Sequence, residues 1–73
     1  MTVRAGATAT RDSSASSNAG ERAVGGGGSS SDGFLYDSGP SATSGTPTDW
    51  VASAEQPDES DASVQAFVIC AAP

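Results

Sequence analysis

The side chains able to do chemistry are few and mostly of one kind. Nine carboxylates stand against three arginines, with no lysine and no histidine, for a formal net charge of −6. The absent histidine removes the commonest general base and any Ser-His-Asp set, and the absent lysine removes a Ser-Lys pair. Cys70 is the one cysteine, so no intrachain disulfide can form. It lies in an apolar run, where a lone cysteine most often packs as a small hydrophobe. No cationic residue is near it in sequence to favour a thiolate. An unpaired cysteine also leaves open a disulfide-linked dimer through Cys70.

Carboxylates alone support two further chemistries. Asp58, Glu59 and Asp61 offer oxygens to calcium, but the D-x-[DN]-x-[DN]-G loop and its closing Glu are missing, so a solvated acidic turn is expected. A carboxylate pair for glycoside hydrolysis needs a substrate cleft, which 73 residues this rich in loop formers can hardly build. The run Gly25-Gly-Gly-Gly28 is followed by Ser29 and not by Gly-Lys-Ser/Thr, and the G-x-G-x-x-G spacing ends on serines. It is read as a glycine-rich strand or bend. Asn18 is followed by Gly20 where a glycosylation sequon needs Ser or Thr. No catalytic residue, cofactor or metal site is assigned, and the chain is expected not to be an enzyme.

The elements that must position these groups have little to work with. Leu, Ile, Val and Phe together number nine residues, about 12% of the chain, below the roughly 20% typical of folded charged sequences. One small, marginal domain is the most that can form. There is no basic footprint for nucleic acid and no apolar run long enough to span a membrane. The start shows no apolar signal-peptide segment, so the chain reads as cytoplasmic or as a fragment of a longer product.

Period-two patterns dominate, and none of 3.6 is persuasive. Gly33–Ser38 and Asp49–Ala54 read as strands, with a turn at Ser38-Gly-Pro-Ser41 and loop through Gly45 and Pro47. Ser63–Ala71 is the strongest strand. Glu55–Asp61, with Pro57, reads as a hairpin connection. Residues 1–20 read as a flexible Ala/Ser/Gly-rich arm or an edge strand, and 21–73 as the β module. The expected class is all-β: a small antiparallel sheet or sandwich of three to five short strands. The expected core is Val24, Leu35, Trp50, Val64, Val68 and Cys70. Phe34, Tyr36, Trp50 and Phe67 are candidates for a recognition surface, with Trp50 weighed more heavily as core.

The ordered pieces Ala19–Gly28, Ser38-Gly-Pro40, Asp49–Ala54 and Val64–Cys70 together resemble a small β-rich module. Such modules occur in surface, collagen-like and phage tail-type proteins of GC-rich Gram-positive bacteria. Their pattern looks like Cys-Pro-x-Gly, Gly-Gly-Gly, Ser-x-Pro, Trp and a final Cys. The resemblance implies an extracellular or virion structural or adhesive role, with a protein or surface glycan as partner. It also implies that the first cysteine is replaced here by Ser17, leaving Cys70 without its partner. The rival reading is a disordered acidic segment that orders on binding.

Overall fold

A computed structural model describes residues 1–41 and 45–72. Its seven strands are β1 (Thr2–Ala5), β2 (Ala9–Thr10), β3 (Asp12–Ser16), β4 (Arg22–Ser29), β5 (Phe34–Pro40), β6 (Asp49–Glu55) and β7 (Ser63–Ala71). All pairings are antiparallel. In the first sheet β7 is central. β1 and then β2 run along one of its edges, and β4 along the other. In the second sheet β6 is central between β3 and β5. The all-β class read from the sequence is therefore observed.

Alternation along β7 decides what is buried. Val64, Ala66, Val68 and Cys70 point inward and are at most 1% exposed. The second sheet meets them with Ala15, Ala52 and Ala54, while Leu35 and Trp50 pack against this cluster from its margin. With alanine as the main filler, the sheets must approach closely. The glycines of β4 permit this. A Cβ on Gly26 would run into the Trp50 indole, and one on Gly28 would lie 2.6 Å from the Ala52 methyl. On the other side of the strand, a Cβ on Gly27 would lie 2.7 Å from Phe67 Cζ. The glycine run is thus a strand pressed by a ring on each face.

Two devices join the sheets. Ser13, buried in β3, donates its hydroxyl to the Ala7 carbonyl at 2.8 Å and accepts the Ala66 N–H of β7 at 3.0 Å. Arg11, with φ 73°, is the corner at which the chain leaves the first sheet for the second. Its N–H donates to Ala62 O and its carbonyl accepts from Ala54 N–H.

Several expectations change. Of the two alternatives for residues 1–20, the flexible arm falls away and the edge strand remains: β1, β2 and β3 lie at the edges of the two sheets, which hold four and three strands among the described residues. Their weak pattern is stabilised by the two long central strands. Val24 is not core but 46% exposed, because the register shifts between Ala23 and Gly25 and Ala23 takes the inward place. β5 continues through the expected turn to Pro40. The expected loop after Ser41 lies partly outside the described residues. Glu55 and Asp61 bridge, closing the hairpin connection that the sequence suggests.

Candidate recognition surface

The four aromatic candidates do not converge. Trp50 points between the sheets onto Gly26, and its indole N–H donates to Ser38 Oγ at 2.9 Å. It belongs to the packing. Phe67 lies on the outward face of the first sheet, with the tip of its ring over Gly27. Beside it a shallow apolar groove of about 310 Å³ is lined by Val3, Ala5, Ser29, Gln65, Ala66 and Phe67. Phe34 and Tyr36, 47% and 46% exposed, belong to β5 in the second sheet. The structure therefore separates one exposed pair, Phe34 and Tyr36, from Phe67 on the opposite sheet.

Register gives the surroundings of that pair. Phe34 stands opposite Glu55, and Asp37 and Asp12 flank Ser53 from either side. These residues alternate with inward Ala52 and Ala54, so they share the outward face. Ser53 donates its hydroxyl to Asp12 Oδ1 at 2.5 Å. Tyr36 is the extra residue of a bulge between Leu35 and Asp37. At the corner of this face, Arg11 Nη1 lies 3.4 Å from Asp61 Oδ1. The Tyr36 hydroxyl first, and Asp61 with it, favour the charged Arg11 guanidinium.

The surroundings of Cys70 are the part the sequence concealed. Its sulfur is buried and shares a 2.5 Å hydrogen bond with Ser17 Oγ, in which either atom can donate. A cation does stand nearby, contrary to the linear reading. Arg4, opposite Val68 in β1, forks onto Glu21 with Nε to Oε1 at 3.0 Å and Nη2 to Oε2 at 3.2 Å. The guanidinium holds the Glu21 carboxyl below the ordinary carboxylate range, helped by the Asn18 N–H at 2.8 Å. Glu21 in turn raises Arg4, and Cys70 adds to this. Strand alternation was the only signal that could have paired Arg4 with this end of β7. Cys70 is 1% exposed, so a disulfide-linked dimer would require β7 to open locally.

The acidic connection is occupied with its own closure. Asp58 accepts the Ser60 hydroxyl at 2.6 Å and the Ser60 N–H at 3.1 Å, which lower its pKa in that order. Asp61 faces Arg11. Among the described residues no three Cys, Asp or Glu side chains are grouped to hold a metal. Among the described residues there is no helix long and apolar enough to cross a membrane.

Compared with known proteins, the chain matches no family model, no curated protein and no solved structure.

Proposed function

We propose that this chain is a non-enzymatic recognition or structural module of an extracellular or virion surface protein. One observation carries the recognition reading. A chain short of apolar bulk fills its core with alanine and valine, yet leaves Phe34 and Tyr36 nearly half exposed on β5. Full burial of an aromatic side chain contributes about 1.5–3 kcal/mol, so a marginal domain that leaves two rings half exposed forgoes roughly that much once over and keeps them for a surface role. The surface location rests on the resemblance, and the contact between Ser17 and Cys70 supports it. The paired strands and shared core favour a folded module over an acidic segment that orders only when bound.

The test is the double variant Phe34→Ser/Tyr36→Ser, compared with the parent on a glycan array and a peptide array. The reading expects binding by the parent that the variant loses, with the melting temperature within about 3 °C of the parent's. A parent that binds nothing, or a variant that binds equally well, overturns it. Loss of the cooperative melt would instead assign the rings to the core.

A further inference from the structure

The outward face of the β3–β6–β5 sheet pairs its two aromatic rings with carboxylates from all three strands. Asp12 lies on β3, Asp49 and Glu55 on β6, and Asp37 on β5, and register places all four on this face. β3 and β5 are two strand spacings apart, about 10 Å, and Asp49 and Glu55 are six residues apart, about 20 Å of strand. The face is therefore a two-dimensional field of negative charge with Phe34 opposite Glu55, while the bulge residue Tyr36 stands half exposed and turns its hydroxyl toward Arg11. We infer that it is a docking surface for a cationic peptide segment, one presenting arginine or lysine at alternate positions of an extended chain.

Charge complementarity selects this occupant. A guanidinium or ammonium between a carboxylate and a ring gains an ion pair and a cation–π contact together. Alternate side chains of an extended peptide fall about 7 Å apart, a spacing that can serve successive carboxylates here. Nucleic acid and anionic surfaces are repelled by the same field. The chain's own Arg11 already sits at the corner of this face, toward Asp61 and Tyr36, as a pattern for a second guanidinium. The opposite sheet offers no equivalent, for the strip of Val3, Ala5, Phe67 and Ile69 carries no charge. The bulge at Tyr36 and Pro40 blunt the edge of β5, so side chains rather than an added strand make the contact.

This inference deepens the recognition reading and rests on it. The full-length chain, labelled with ¹⁵N, is titrated with the peptide (Arg-Thr)4 and with (Gln-Thr)4 and (Glu-Thr)4 as controls. Amide shifts are expected for (Arg-Thr)4 alone, confined to β3, β5 and β6 around Asp12, Phe34, Asp37, Ser53 and Glu55. Affinity should fall about tenfold from about 25 to about 250 mM salt, and about tenfold in D37N/E55Q, while Phe67→Ser leaves it unchanged. Shifts spread over both sheets, or equal affinity in D37N/E55Q, would overturn the inference by showing a response to net charge alone. The shift map uses the unaltered chain, so it stands even where a variant fails to fold. If (Arg-Thr)4 leaves the spectrum unchanged while F34S/Y36S loses its array signal, the cationic partner falls and the recognition reading survives.

Discussion

Ser17 and Cys70 are 53 positions apart in sequence and in hydrogen-bond contact in space. A cysteine at position 17 would therefore meet Cys70 without a large backbone movement. Closing a loop of that length stabilises by roughly 4 kcal/mol in the chain-entropy description, comparable with the whole stability of a domain this small. The variant Ser17→Cys should lose both free thiols on mild oxidation as a monomer and resist thermolysin longer than its reduced form. Two thiols that persist under oxidant, or a covalent dimer, would refute the facing of these positions. The charge pair beside them gives a second expectation. Glu21 titrates lower in the folded chain than its ordinary value of 4.5. Its contribution to stability is therefore complete above that value and lost as pH falls through the lower folded one. Melting temperature should drop on acidification across that window, and less so in Glu21→Gln. Equal slopes in both proteins would assign the acid response to other carboxylates.

At the scale of elements, β4 shows what the sequence disclosed and what it withheld. Four consecutive glycines announce a close approach but not to what. Only the assembled sheets reveal Trp50 on one side and Phe67 on the other. Gly26→Ala, whose methyl would meet both the indole and the Phe67 carbonyl oxygen, should cost about 3 kcal/mol, enough to abolish a cooperative melt, whereas Gly27→Ala meets only the tip of the Phe67 ring, which can swing outward, and should cost about 1 kcal/mol. Gly39→Ala, whose new methyl meets nothing within 4 Å, should stay within about 0.5 kcal/mol. Indifference at position 26 would mean that the indole does not rest on β4. β7 was legible because its alternation is strict and its inward face is Val, Ala, Val and Cys. The edge strands β1–β3 were not, since Ala, Thr and Ser patterns differ little from loop. Their pairing comes from β7 and β6, at a distance no local pattern records. Val24 misled for a related reason: a one-residue register shift reverses facing, and nothing adjacent in sequence marks it. The exposed pair Phe34 and Tyr36 could be named from sequence. Their separation from Trp50 and Phe67 could not.

The whole molecule is a slab, with principal extents of 42 × 21 × 13 Å. One broad side is acidic and aromatic, and the other is uncharged along its central strip. Between them lies a single core shared by both sheets. Because Trp50 sits where the sheets meet, its fluorescence reports their separation, whereas far-UV circular dichroism reports the strands. The two melts should coincide, and removal of residues 1–10 should eliminate both, since β1 and β2 complete one edge of β7. Two separated transitions, or a truncated chain that melts like the parent, would show that the first sheet does not depend on this edge.

The pairing of Thr2 with Cys70 and Val3 with Ile69 has a mechanical consequence. The first strand begins where the last one ends, so tension that draws Thr2 and Cys70 apart would load this ladder one hydrogen bond at a time. Such peeling resists far less force than shearing a whole ladder at once, because the bonds lie perpendicular to the strands and are not strained together. Pulled in this way, β1 would detach first, exposing the edge of β7 from Phe67 to Cys70 while the β3–β6–β5 sheet stayed unloaded.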